Sequence, residues 1–379
     1  MDDHLIDRVL NLAVDIQQIS APPLDEGLRG EFVRDRFMAE GLRGVTTDKI
    51  GNVYARVPGA GASLPLVVTA HLDTVFPVGT DLKVRRQGDK IFGPGIGDNS
   101  LGVAGLFGLL WGLTAGQEFE GGVDIRLHTG LPGDLWLVAN VGEEGLGDLR
   151  GMRAVVDRFG DQVLAYVVLE GMALGQIYHR ALGVQRYRIS VQTMGGHSWV
   201  DFGQPSAINE LAMLVTRLTA LPLAEQPRTS LNVGVILGGT SVNTIAAQAQ
   251  LELDLRSVDG KTLDLLVKRV EALVESTRKP GVEVARELIG QRPAGSIPQN
   301  HPLVLLAKRC LLEQGIRSNL AIGSTDANIP LSRGIPAICL GLSTGSGAHT
   351  LNEYIYTQSL GKGLRQLVSL VRGVYEELK

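Results

Sequence analysis

The chain is organised around residues 66–77, LVVTAHLDTVFP, an apolar run that ends in a histidine and an aspartate. The apolar run predicts a buried strand. His71 and Asp73 are two positions apart, so their side chains point to the same side of an extended chain. Open α/β sheets place their sites at the carboxyl ends of strands. The pair therefore predicts either a metal ligand whose imidazole is oriented by a carboxylate, or a hydrogen-bonded pair that ends a strand.

Two more apolar runs further along the chain also lead into acids. Residues 135–140 precede Glu143 and Glu144, and residues 165–169 precede Glu170. Helical patterns separate the runs, and a Gly-rich segment, residues 115–134, predicts a surface hairpin or loop. Buried strands that alternate with helices predict an α/β fold, with a mostly parallel sheet and helices on both faces.

The pattern changes between residues 183 and 293. Apolar and polar residues alternate there along several strands, and the predicted order of elements is β-α-β-β-α-β, the ferredoxin-like arrangement. We therefore predict two domains: residues 1–182 with 294–379, and an inserted α+β domain at 183–293. A closing helix should follow Ser359, which is predicted to cap it.

Composition bounds the class of protein. The 379 residues are 44% hydrophobic with a net charge of -4, and no Lys/Arg run stands out, which argues against nucleic-acid binding. We see no secretory signal at the start and no apolar segment close to the roughly 20 residues of a membrane span. Two cysteines cannot build a Cys-rich metal site. We expect a cytoplasmic protein.

Several acids and histidines are ambiguous when taken singly. Asp98 could be a helix cap, His349 a structural histidine, and Glu143 with Glu144 a solvated turn, although adjacent carboxylates repel unless a positive group lies beside them. Taken together, five groups of metal-binding type are predicted at one sheet edge: His71, Asp98, Glu144, Glu170 and His349. Two histidines and three carboxylates suit two zinc-like ions that share one carboxylate, and Glu143 is left to transfer protons.

This set resembles the M20 co-catalytic metallopeptidases. That family includes di- and tripeptidases, carboxypeptidase G2-like enzymes, and the acetylornithine deacetylase and succinyl-diaminopimelate desuccinylase group. The motifs that carry the resemblance occur in the family's order from residue 70 to residue 353: AHLDTV (70–75), GDNSLG (97–102), EEGLG (143–147), LEG (169–171), MGGHS (194–198) and GAHTLNE (347–353). Each motif is weak alone, but the ordered set spans nearly the whole chain.

The resemblance implies a di-zinc aminopeptidase-like catalytic domain with two divalent ions per chain, zinc first and cobalt or manganese as alternatives. It assigns His71 and Glu170 to one ion, Glu144 and His349 to the other, Asp98 to a bridge between them, Asp73 to the orientation of His71, and Glu143 to the general base. It also implies a cis peptide bond between Asp98 and Asn99.

For the inserted domain, the resemblance implies a lid that commonly forms a homodimer. His197 would stabilise the oxyanion in the partner's site, or would be a surface loop histidine. Asn243 would contact substrate, and Arg256 would bind a substrate carboxylate or simply end a strand. The cleft would be lined by residues that include Asp326, Gly345 and Gly347. The implied substrate is a small peptide or an N-acyl amino acid.

Two rival interpretations are a serine hydrolase and a metal-free binding relative. Residues 341–345, GLSTG, fit the G-x-S-x-G nucleophile elbow, but Gly-rich sequence follows where the elbow needs a helix. A metal-free, non-catalytic binding relative would show a broken ligand set, and here the set is intact. We therefore predict a metal-dependent amide hydrolase, with a peptidase favoured and an N-acyl-amino-acid deacylase as the alternative.

Overall fold

The computed structural model describes residues 2–114 and 129–378. The chain divides into two compact units, Met1–Ala181 with Ser296–Lys379, and Leu182–Gly295. The second unit is thus inserted into the first. Most of the predicted hairpin or loop at 115–134 lies outside the described residues, because these resume only at 129.

The first unit is built on a mixed sheet. Four neighbouring strands in its middle are parallel and almost entirely buried, as their continuous apolar sequences require. The described strands of this sheet that belong to the first unit run in the order Thr46–Thr47, Val53–Val57, Leu135–Asn140, Leu66–His71, Tyr166–Glu170, Ala337–Gly341 and Gln176–Ala181, with Asn319–Gly323 paired to the last. The four parallel strands, from Leu135–Asn140 to Ala337–Gly341, therefore all end at one edge.

Helices cover this sheet. Their bounds are Asp3–Gln17, Gly27–Ala39, Leu101–Thr114, Arg150–Phe159, Pro302–Glu313, Asn328–Ser332 and Leu360–Glu377, with short π- and 3-10 turns at Ile96–Ser100 and Gly145–Gly147. Among the described residues, one helical stretch, Ile96–Thr114, is long and apolar enough to cross a membrane, but 89% of its tested window is buried inside the protein. It packs as a core helix.

A small antiparallel sheet in the first unit carries the loop around His349. Its strands are, in order, Gly345–Ser346, Tyr354–Tyr356, Lys90–Phe92 and Arg85–Gln87. Residues 347–353 connect the first two of these strands. The loop is therefore anchored at both ends.

The second unit has the predicted β-α-β-β-α-β order. Its antiparallel strands lie in the order Thr229–Gly238, Gln248–Ser257, Gly183–Thr193 and Val282–Arg292, and its helices are Ala207–Thr219 and Gly260–Glu275. Alternate strand residues are buried with both helices in a separate core. A two-stranded ribbon joins Gly196–His197 to Thr244–Ile245. The short strand Gly295–Ser296 lies where the chain returns to the first unit.

The prediction that the Ser359 side chain caps the last helix is wrong. Ser359 stands immediately before the last helix, but among the described residues no side-chain hydrogen bond caps that helix. The Ser359 hydroxyl instead lies 2.8 Å from the hydroxyl of Ser343 and accepts the N–H of Thr344 at 3.2 Å. Its residue type fits a cap, but tertiary partners have taken the oxygen.

Candidate metal centre

Five side chains of metal-binding type converge where the parallel strands end. His71 and Glu170 are the last residues of two neighbouring strands of the central sheet. Asp98 lies in the turn that opens the buried helix, Glu144 follows the strand Leu135–Asn140, and His349 lies in the loop of the small sheet. The sheet edge thus places residues far apart in sequence beside one another.

Asp98 is at the centre of this group. Its Oδ1 lies 3.2 Å from Nε2 of His71, and its Oδ2 lies 3.1 Å from Nε2 of His349. One carboxylate therefore faces an imidazole with each of its oxygens. The peptide bond from Asp98 to Asn99 is cis, as the resemblance implied.

Each imidazole also has a carboxylate of its own. Glu170 Oε2 lies 3.6 Å from His71 Nε2, and Glu144 Oε1 lies 2.9 Å from His349 Nε2. Ligand atoms of His71, Asp98 and Glu144 all lie within 4.8 Å of one another. The donor set consists of nitrogen and oxygen atoms in two halves that share Asp98, and it therefore fits divalent metal ions.

Asp73 orients His71 differently from the expectation. The Nδ1 atom of His71 lies 3.0 Å from the backbone carbonyl of Asp73 and 3.6 Å from its carboxylate, which is beyond hydrogen-bond range. A carbonyl can only accept, so Nδ1 carries the hydrogen and Nε2 is the atom available to a metal ion. The predicted orienting role thus belongs to the main chain of Asp73.

The Asp73 carboxylate holds the acidic turn instead. It accepts the backbone N–H of Glu143 at 3.0 Å and that of Glu144 at 2.7 Å. Arg29, which sequence reasoning missed, is buried behind this strand end and donates to the carbonyl of Leu72 at 2.7 Å. Burial lowers the pKa of Arg29 to about 10, and the charge of Asp73 opposes that shift. Asp73 is therefore a structural link between His71 and the two adjacent glutamates.

Comparison with known proteins gives the chain its family. A family model described as "Peptidase family M20/M25/M40" matches residues 67–373. The chain belongs to this family.

Relatives of this M20 chain include both peptidases and a deacylase. Succinyl-diaminopimelate desuccinylase of Corynebacterium glutamicum is 23% identical over 88% of either chain. A tripeptidase of Staphylococcus aureus has a similar fold, with 22% identity, a TM-score of 0.78 and coverage of 98% of this chain and 99% of that one. The YXEP protein of Bacillus subtilis, described as a dinuclear metal-binding peptidase, has a TM-score of 0.69 at 15% identity. The match covers 99% of this chain and 100% of that one. The chain is an enzyme of the peptidase and amidohydrolase class.

The electrostatics of the M20 site favour cations. The carboxylates of Asp98 and Glu144 accept hydrogen bonds from the His349 imidazole and raise its pKa to about 10. Burial lowers the pKa of His71. The carboxylates of Asp73, Asp98 and Glu170 raise it by a larger amount, so the net shift is upwards. Burial raises the pKa of Glu170 to about 7, although His71 opposes that shift. The carboxylates thus hold positive charge on both imidazoles.

Two buried side chains support the Asp98 turn and were not assigned from the sequence. Asn99 donates to the carbonyl of Leu169 at 2.8 Å and accepts the N–H of Gly171 at 2.9 Å, which ties the turn to both sides of Glu170. Glu353 accepts backbone N–H groups of the same turn. The sequence signal for Glu353 was its place in the GAHTLNE motif.

The other predicted cleft residues of the first unit shape or flank the site. Asp326 is buried and accepts from the side-chain amide of Asn140 at 2.7 Å. A Cβ atom on Gly345 would lie 2.3 Å from the carbonyl of Tyr354, so only glycine fits there. Gly347 has a φ of 79°, two residues before His349. Both glycines therefore determine the path of the His349 loop.

In the second unit, two of the three predicted residues lie together. His197 and Thr244 are partners across the two-stranded ribbon, and Asn243 is adjacent. Arg256 lies near the far end of the strand Gln248–Ser257, about 27 Å along the strand from its first residue, Gln248. Its guanidinium donates to the carboxylate of Asp254 at 2.6 Å. The fold brings His197 and Asn243 together and separates both from Arg256.

Proposed function

We propose that this chain hydrolyses the amide bond of small peptides and that two divalent ions are bound at the Asp98 centre. The position of Asp98 between two imidazoles carries the proposal, because a carboxylate with each oxygen facing a different imidazole is suited to bridge two ions. His71 and Glu170 would hold one ion, and Glu144 and His349 the other. Zinc is our first choice for this donor set, with cobalt or manganese as alternatives.

The protein's own residues would supply the proton chemistry. When bound, two such ions polarise a carbonyl and lower the pKa of a water molecule. Glu143 would accept a proton from the attacking water and deliver it to the leaving amine. Its backbone is fixed by Asp73, and its side chain is buried beside Glu144. Asp73 thus keeps the base next to a ligand without binding the ions itself.

Metal content and activity test this proposal together. We expect elemental analysis to find about two equivalents of zinc per chain after reconstitution. Hydrolysis of a panel of di- and tripeptides should disappear on treatment with a chelator and return with zinc, cobalt or manganese. A chain that binds metal but cleaves none of the panel would contradict the peptidase assignment.

An N-acyl-amino-acid deacylase is the second candidate. The similarity to a desuccinylase over 88% of both chains favours it, since the same metal chemistry cleaves both kinds of amide bond. N-acetyl and N-succinyl amino acids therefore belong in the substrate panel. Faster turnover of these compounds than of any peptide would select the deacylase.

We propose Asn243 as a contact to the substrate, and Asp326, Gly345 and Gly347 as part of the cleft. The ion pair with Asp254 weakens the case for Arg256 as a carboxylate receptor. A rise in KM without a change in kcat for Asn243→Ala would support its role.

We also propose that His197 acts across a homodimer, where it donates a hydrogen bond to the developing oxyanion. His197 is exposed, and so are four large apolar residues near it: Met194, Trp199, Val200 and Phe202. The test is complementation between His197→Ala and Glu143→Gln. Each variant alone should be nearly inactive, whereas a mixed dimer should recover up to about half of wild-type activity, since one of its two sites is intact. A purified heterodimer without recovery, or an active monomer, would exclude action across the dimer.

A further inference from the structure

We infer that Glu353 is a positioning residue that fixes the shared carboxylate of Asp98 relative to the His349 loop. This inference rests on the proposed two-metal function. It concerns a side chain that lies outside the ligand set and that the proposed reaction does not use. Its carboxylate would act only through the backbone of the Asp98 turn.

Glu353 binds the Asp98 turn with four hydrogen bonds. Its Oε1 accepts the N–H groups of Gly97 at 2.7 Å and Asp98 at 2.8 Å, and its Oε2 accepts that of Gly95 at 3.0 Å. Its backbone carbonyl accepts the N–H of Gly93 at 3.0 Å. The Glu353 side chain is fully buried. One residue therefore attaches the whole of 93–98 to the loop that ends four residues after His349.

The turn needs such an attachment. Gly95 has a φ of 73°, and Asp98 and Asn99 depart from helical φ and ψ values, so part of this turn lacks the regular hydrogen bonds of a helix. Its N–H groups are donors that must find acceptors when buried. An ionised carboxylate has only acceptors and can satisfy all three at once. A glutamine would turn an NH2 group towards at least one of them.

The two halves of the metal centre depend on Glu353 unequally. His71 and Glu170 belong to strands of the central sheet, so the sheet holds them. His349 has a side chain that is 54% exposed and lies in a loop outside that sheet. Loss of the Glu353 contacts should therefore weaken the ion of His349 and Glu144 more than the ion of His71 and Glu170.

Cobalt titration of the full chain tests this. After removal of metal by a chelator, Glu353→Gln should bind the second equivalent of Co(II) about 10- to 100-fold more weakly than wild type, with altered visible absorption bands. Glu353→Met, which removes both carboxylate oxygens and so all three side-chain hydrogen bonds, should have a larger effect. The first equivalent should change less in both variants.

Asp134→Asn is the matched control. The Asp134 carboxylate also accepts a backbone N–H, that of Gly59 at 3.0 Å, and it pairs with Arg56 at 2.7 Å. It precedes the strand Leu135–Asn140 and so lies at the opposite edge of the sheet. This variant should lose stability without any change in cobalt affinity or spectrum. If Asp134→Asn weakens cobalt binding as much as Glu353→Gln does, Glu353 has only a general structural role and the inference is refuted.

Hydrogen exchange gives a readout that needs no variant. In wild type, the amides of Gly95, Gly97 and Asp98 should be protected from exchange, and rapid exchange would overturn the inference. So would a Glu353→Gln chain that binds two cobalt ions with wild-type affinity and spectrum. A wild-type chain that binds two ions but hydrolyses no substrate refutes the proposed function alone, and one that binds no cobalt refutes both.

Discussion

Binding of two metal ions to the stripped centre should release about two protons per chain at pH 7.5. The reason is the charge around the imidazoles. Asp98 and Glu144 raise the pKa of His349 to about 10, and the pKa of His71 is also well above its ordinary value, because Asp73, Asp98 and Glu170 outweigh its burial. A metal ion binds neutral imidazole, so each ion must displace a proton.

The size of the release follows from these pKa values. At pH 7.5 His349, whose pKa is about 10, is almost fully protonated and contributes about one proton. The pKa of His71 is raised well above its ordinary value, so this imidazole is expected to contribute up to one proton more. Glu170, whose pKa burial raises to about 7, adds about 0.2 of a proton. Histidines with an ordinary pKa of about 6.5 would together release only about 0.2. Because the pKa values are raised, metal affinity must fall as the pH falls, by about 100-fold per pH unit for the two ions together.

Isothermal titration calorimetry measures this release. Titrations with zinc in two buffers of different ionisation enthalpy, at pH 7.5 and 8.5, give the number of protons directly. Water ionised by a bound ion would add to the count, so the variant His349→Ala supplies the control. It should release about one proton fewer than wild type. A wild-type release below about one proton at pH 7.5, or the same release in the variant, would refute the assigned electrostatics.

Four substitutions and one control, Gly27→Ala, test other parts of the site and fold. Glu143→Gln should keep its metal ions and lose about 10²–10⁴-fold in turnover, whereas Glu144→Gln should lower metal occupancy; the opposite pattern would exchange their roles. Asp73→Asn turns an NH2 group towards the backbone N–H of Glu143 or Glu144. It should lower the free energy of unfolding in urea by about 1–3 kcal/mol and reduce activity. Unchanged stability would contradict the structural role of the Asp73 carboxylate. Gly363→Ala places a Cβ atom 1.8 Å from a backbone carbonyl oxygen and should cost at least about 1–3 kcal/mol in thermal unfolding, whereas Gly27→Ala, with open space at its Cβ, should be nearly neutral.

The buried parallel strands were predictable because their burial leaves a strong mark on the sequence. The apolar run before His71 became the strand Leu66–His71, and the run at 135–140 became Leu135–Asn140. The strand Gln176–Ala181 was missed because only alternate residues are buried and it contains His179 and Arg180. Asn319–Gly323 is mostly half-exposed and pairs only with that strand among the described residues. Strands away from the middle of the sheet lack the continuous apolar pattern that identifies the central ones.

The site was predictable where residue type and strand ends were enough. His71, Asp98, Glu144 and His349 could be singled out because acids and histidines follow apolar runs or glycines, and the structure brings them together. Hydrogen bonds to the backbone left no such signal. The hydrogen bond from the N–H of Gly95 to the Glu353 carboxylate joins positions 258 residues apart in sequence, and only the folded chain places them side by side.

The way the acids are held explains why the centre attracts cations. Asp73 and Glu353 each accept backbone N–H groups, which hold carboxylates in place without a full positive charge. Asp98, Glu144 and Glu170 instead face the two imidazoles. Arg29 is the buried cation behind Asp73, but it donates to main-chain carbonyls and leaves these three acids to the imidazoles. Once the imidazoles give up their protons, three converging carboxylates remain, and divalent cations are the ligands that can compensate that charge.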